Sequence, residues 1–157
     1  MKFRYFLISS AFRISNDYQI EYHRLCSCIC KYPSKLHSFI VLNKYAKFWI
    51  KKLNLNKHPE GGYFADTYKS DKIIRLPRYD GSRSICTAIY YLLTGNQFSS
   101  FHIMKSDEIW HFYSGSSLTL YIIDSKGKLK EAFLGPNISK GETFQLAVKS
   151  GSWFAAS

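Results

Sequence analysis

No apolar run in the 157 residues approaches the ~20 that a membrane-spanning helix requires, and there is neither an internal repeat nor a low-complexity tract. Acidic residues are scarce, 11 against 22 Lys and Arg, which leaves a net charge of +11. A charge that large attracts nucleic acid or an anionic membrane surface through its long-range field. Its distribution points elsewhere. Residues 1–43 carry +4 and residues 44–157 carry +7, so the excess is spread along the chain. Lys51-Lys52 is the one basic doublet, and no helix-turn-helix or zinc-finger spacing accompanies it. The expected surface is solvated and Lys-rich, with neither nucleic acid nor membrane as partner.

Cysteine is also sparse. Cys26, Cys28 and Cys30 alternate in a C-x-C-x-C run, and Cys86 stands apart. Structural zinc sites use wider-spaced pairs and a second cluster, which this chain lacks. Cys86 falls in an apolar stretch and is expected as a small core residue. Lys2 and Arg4 ahead of Tyr5-Phe6-Leu7-Ile8 imitate the start of a secretion signal. Arg13 closes that run early and no small-residue cleavage pattern follows, so the expected setting is reducing and cytoplasmic.

What the chain does have is apolar and aromatic content, 46% and 17%, enough for one domain with a real core. Residues 1–42 show neither alternation nor a helical stripe, and they are expected to lie outside the fold. From residue 43 the pattern is regular. Asn43 is a plausible N-cap for a short amphipathic helix, in which Tyr45, Phe48, Trp49 and Leu53 recur at spacings of three and four. Thereafter the period is two. Strands are expected over Tyr63–Tyr68, Ser84–Leu93, Ser99–Met104, Glu108–Tyr113, Leu118–Ile123, Leu129–Leu134, Thr143–Val148 and Trp153–Ala155. Asp124-Ser125-Lys126-Gly127 has the residues of a hairpin loop. Eight short strands with frequent turns predict a mainly β sandwich or barrel, with 43–157 as the domain.

The stretch richest in chemistry is Gly95-x6-His102-x-Met104-x3-Glu108-x6-Gly115. It resembles the first motif of the cupin superfamily, in which His-x-His and a Glu lie between two glycines. The resemblance narrows at His58-Pro59-Glu60-Gly61-Gly62-Tyr63-Phe64 and at Thr87-Ala88-Ile89-Tyr90-Tyr91-Leu92-Leu93. Ser106-Asp107-Glu108-Ile109-Trp110-His111-Phe112-Tyr113-Ser114-Gly115 and Gly151-Ser152-Trp153-Phe154-Ala155-Ala156 extend it. Four motifs in order, over roughly Lys44 to Ser157, are similar to one cupin family of unassigned function, often labelled Cupin-5. The resemblance implies a cupin-type jelly roll, a homodimer when complete, and a pocket for a small polar or anionic molecule. It implies no particular reaction. The family pattern continues past Trp153-Phe154 through further strands, so the domain is expected to be incomplete at its C-terminal end.

In metal-binding cupins two His and the Glu of this motif hold one ion with a fourth His from a second motif. Here Met104 stands at the second His and Phe154 at the fourth ligand. A thioether suits hard or borderline ions poorly, so no cofactor is expected; a divalent metal on His102 and Glu108 would be weakly held. Strand parity turns Glu108, Trp110 and Phe112 to one face and Ile109, His111 and Tyr113 to the other. His111 is therefore expected to be a packing or subunit-contact residue. His58-Pro59-Glu60-Gly61-Gly62 is either a rigid turn into the first strand or a means of projecting Glu60 toward the pocket mouth.

The leading expectation is a small-molecule-binding cupin whose chemistry, if any, is a metal-independent isomerisation or epimerisation of a polar or sugar-like ligand. His102 would be the base, because free imidazole titrates near pH ~6.5. Glu108 would orient it, Arg83 would attract a negative group, and Glu60, Met104 and Trp110 would line the ligand site. A non-catalytic binding module, a metal-dependent cupin enzyme and a nonfunctional truncated product stay open as alternatives.

Overall fold

Strands of two to eight residues, the longer ones rich in aromatic and β-branched side chains, build two packed sheets in the computed structural model, which describes residues 5–11, 44–75, 81–95 and 97–157. The elements are β1 (Tyr5–Ala11), α1 (Lys44–Lys52), β2 (Asn56–Lys57), β3 (Tyr63–Lys69), β4 (Ile73–Ile74), β5 (Arg83–Ser84) and β6 (Thr87–Thr94). They continue as β7 (Ser99–Ile103), β8 (Glu108–Gly115), β9 (Leu118–Ile123), β10 (Leu129–Leu134), a 3-10 turn over Ile138–Lys140, β11 (Gln145–Val148) and β12 (Trp153–Ala156). The larger sheet runs β11-β8-β1-β6-β3-β2, the smaller β10-β9-β12-β7, and β4-β5 form a separate ribbon. The sheets do not close on one another, so the architecture is a jelly-roll sandwich. Among the described residues no helix is long and apolar enough to cross a membrane.

The core lies between the inner faces of the two sheets. Ile89, Tyr91 and Leu93 of β6 and Trp110 of β8 meet Leu118, Leu120, Leu134 and Phe154 from the smaller sheet. Along β8 burial alternates as parity requires: Glu108 and Trp110 are buried, Ile109 and His111 half-buried, Tyr113 exposed. His111 sits opposite Gln145 on β11, whose side-chain amide lies 3.2 Å from its Nδ1.

Two turns lock the frame. Asp124 Oδ1 accepts the Lys126 and Lys128 backbone N–H groups, both at 2.9 Å, closing the expected β9–β10 hairpin. Asp107 accepts from the Ser150 N–H at 2.9 Å and from Lys149 Nζ at 2.7 Å, tying the β7–β8 turn to the β11–β12 turn.

The structure differs from the sequence expectations in four places. Sequence patterning left residues 1–42 outside the domain, yet Tyr5–Ala11 runs through the middle of the larger sheet, between β8 and β6. Its Tyr-Phe-Leu-Ile run does not alternate, so period two gave no signal there. The long strand expected over Ser84–Leu93 is broken at Ile85–Cys86, and Cys86 is half-buried at the break, not a core residue. The inward stripe of α1 is rotated by about one position. Ala46 is fully buried and Trp49, Ile50 and Leu53 half-buried, while Tyr45 and Phe48 stay exposed. Finally, the strand expected from Thr143 starts at Gln145, Thr143 making only an isolated bridge to Leu134. Asn43, Arg13, His23, His37 and the Cys26, Cys28 and Cys30 run lie outside the described residues.

Candidate functional site

The site begins with a turn that only glycine can make. After His58-Pro59-Glu60 the backbone passes through Gly61 at φ +110° and Gly62 at φ +74°. A Cβ on Gly61 would stand 2.2 Å from the Phe98 carbonyl oxygen, and one on Gly62 would stand 2.7 Å from that of Leu92. The turn is therefore pressed against β6 and the approach to β7. The His58 N–H donates to Gly62 O at 3.0 Å, Tyr91 Oη donates to Gly61 O at 2.7 Å, and the Ser100 N–H donates to Glu60 O at 2.8 Å. The turn is held on both sides, and the Glu60 side chain it carries is turned inward, where it is 8% exposed.

Glu60 meets two imidazoles there. Its Oε2 lies 3.3 Å from His102 Nε2 and 3.9 Å from His58 Nδ1. The neighbouring hydrogen bonds decide the proton on each ring. His102 Nδ1 is 2.7 Å from the Ser100 carbonyl oxygen, which can only accept, so Nδ1 carries a hydrogen. His58 Nδ1 accepts the Glu60 backbone N–H at 3.2 Å, so its ring hydrogen is on Nε2. His58 thus acts as a neutral brace, wedged edge-on between Phe64 at 4.8 Å and Tyr91 at 5.3 Å between ring centroids. At His102 the contact is different: Nε2, the nitrogen not held by the Ser100 carbonyl, faces the Glu60 carboxylate oxygen at 3.3 Å.

The strand register sets what faces the pair. Phe154 on β12 is directly opposite His102 on β7, and the two rings pack at a tilt of 59° with centroids 4.1 Å apart. Phe154 is fully buried and also meets Trp110 edge-on at 6.2 Å. Met104 packs against the same core cluster. The two positions where the resemblance would put metal-ligating His are thus occupied by apolar packing. His102 itself has Nδ1 committed to a carbonyl and Nε2 turned to Glu60. Among the described residues no three His, Cys, Asp or Glu stand where they could hold a metal ion. The donor set does not fit the cupin metal site.

Of the residues singled out from sequence, the structure brings Glu60 and His102 into contact, with Met104 and Trp110 in the adjoining core. Glu108 is buried at the head of β8, on the Trp110 face. The indole Nε1 of Trp110 is buried with no hydrogen-bond partner among the described residues. Arg83 is on the separate β4–β5 ribbon, opposite Ile74, outside both main sheets. Sequence reasoning missed His58 and Ser100 as positioning groups. The signal for His58 was present in the His-Pro-Glu-Gly-Gly motif; a backbone carbonyl such as that of Ser100 leaves none.

A search of curated proteins found no match. Among solved structures, a hypothetical protein from Leishmania major superposes with a TM-score of 0.66 at 32% identity, covering 71% of this chain and 69% of that one. A crystal structure of a protein from Shewanella oneidensis gives a TM-score of 0.65 at 38% identity, covering 71% and 68%. The family model Cupin_5, described as Cupin superfamily (DUF985), matches residues 47–157. With the family model matched over most of the chain and these two structural neighbours above 30% identity, the chain belongs to that cupin family.

Proposed function

We propose that this protein binds a small polar or anionic molecule beside His102 and that the His102–Glu60 pair moves a proton to or from it, as in a metal-independent isomerisation or epimerisation. The observation that carries this reading is the Glu60 carboxylate 3.3 Å from His102 Nε2, with Nδ1 held by Ser100 O. A base whose second nitrogen is fixed by a carbonyl has one defined tautomer and orientation, as general acid–base catalysis requires. Positioned proton transfer of this kind contributes about 10²–10⁴-fold in rate. A reducing, cytoplasmic setting and a homodimeric form go with this reading.

The test is hydrogen exchange into candidate ligands. The protein is incubated in D₂O with a panel of aldoses, ketoses, 2-hydroxy acids and nucleotide sugars, and deuterium entry at carbon is followed by NMR. Wash-in is expected with the wild type, falling about 100-fold or more in His102→Gln and by a smaller factor in Glu60→Gln. A panel member that raises the melting temperature yet takes up no deuterium would replace this reading with a non-catalytic binding module. That second reading has its own support, since His102 is packed against Phe154 and largely covered.

A further inference from the structure

The larger sheet carries an element that the family match does not include. Residues 47–157 supply β8 and β6, but these two strands do not pair with each other. What separates them is β1. All seven of its residues are in register with β6, from Tyr5 opposite Thr94 to Ala11 opposite Ala88. On its other edge Phe6–Ala11 pair with β8 from Gly115 to Ile109, with one irregularity between Leu7 and Ile8. Both ladders are antiparallel. Without β1, inner edges of β6 and β8 would face each other across a strand-wide slot. The β6 edge belongs to residues from which water is nearly excluded, Leu92 at 0%, Leu93 at 1% and Thr94 at 3% exposure. Backbone N–H and C=O groups at such depth require a partner.

We propose that this slot is a strand-acceptor site and that its occupant is the chain's own Tyr5–Ala11, held as a separable strand that completes the sandwich. The chemistry recognised is main-chain: an extended segment able to run antiparallel to both neighbours, with side chains of high β-propensity. Tyr-Phe-Leu-Ile-Ser-Ser-Ala meets that requirement. Residues 12–43 place 32 positions between the strand and α1. That length extends to about 100 Å, so reach does not force the strand to come from a second copy. Tethering makes the intramolecular strand the favoured occupant through its effective concentration.

The experiment uses the full chain with a specific protease site placed between residues 12 and 43, cut only after folding. The fragment bearing Tyr5–Ala11 is expected to co-elute with the remainder in a particle of one-chain mass. Backbone amides of Ala88–Thr94 and Ile109–Gly115 should keep their protection against hydrogen exchange. Excess labelled peptide spanning residues 4–12 should then replace the fragment, whereas the same peptide with Ser9→Pro should not, because proline removes a ladder donor within a two-sided strand. In the uncut chain, Ser9→Pro should speed exchange at Ala88–Thr94 at least tenfold while leaving the β9–β10 hairpin unchanged. A fragment that separates while the remainder keeps its protection and its melting temperature would overturn the proposal. So would a two-chain particle whose slot is filled by the other copy.

Discussion

Glu142 accepts hydrogen bonds from the Ser117 hydroxyl and, at 2.8 Å, from the Asn137 backbone N–H, and these donors hold its carboxyl below the usual carboxylate range. Its side chain also fills the space beside Gly135, where a Cβ would stand 2.3 Å from Oε2. A carboxylate with a lowered pKa in the folded state contributes stability that is fully present above the unfolded value and lost as pH falls through the folded one. The difference in urea midpoint between wild type and Glu142→Gln should therefore be constant above about pH 5 and shrink toward zero in more acid solution. A difference that stays constant down to pH 3 would mean that the charge of Glu142 is not what holds the Gly135–Thr143 loop. The same logic of partners, applied to His102 and His58, separates two histidines beside one carboxylate: His58 braces the turn through the Glu60 N–H, while His102 turns its Nε2 to the carboxylate.

Among the turns, those at Gly61 and Gly127 separate two costs that glycine avoids. Both have positive φ, +110° and +78°, but nothing lies within 4 Å of a Cβ on Gly127. Gly127→Ala should cost only the backbone strain, about 1 kcal/mol. Gly61→Ala adds a collision with the Phe98 carbonyl, and the total should reach about 2–4 kcal/mol. Chemical denaturation of the two variants side by side measures the gap, and equal losses would show that the close approach to Phe98 carries no weight. If the proposed proton transfer holds, Gly61→Ala should also slow deuterium wash-in, since the displaced turn carries Glu60 and its bond to Ser100.

For the whole molecule, the sandwich interior and the candidate site meet at Phe154. It is fully buried, packs at a tilt against His102 and meets Trp110 edge-on. Truncating a buried Phe costs about 3–5 kcal/mol, a large part of the ~5–15 kcal/mol that holds a domain folded. Phe154→Ala is expected to lose that amount, while Phe133→Ser, at a side chain 42% exposed, should stay within about 0.5 kcal/mol. A loss below 1 kcal/mol for Phe154→Ala by urea denaturation would show that the two sheets do not depend on this contact.

Hydrophobic periodicity and turn chemistry, which are local, placed α1, β3 and β7 to β12 to within a few residues. They also placed Glu108 and Trp110 on one face of β8 and His111 on the other. Alternation is written into a strand by the contrast between core and solvent, so a half-buried strand announces itself in its own residues. His102 and Glu60 were each legible as members of family motifs, but not as a pair. Their contact joins a turn at residue 60 to a strand at residue 102 through the Ser100 bond to Glu60 O, and no local pattern encodes that distance. The packing of Phe154 against His102 likewise arises from the β12–β7 register. The strand Tyr5–Ala11 is the extreme case. Its own run has no period, and its partners lie some eighty to a hundred residues along the chain, so only the fold, with an open slot between two strands, makes it a strand at all.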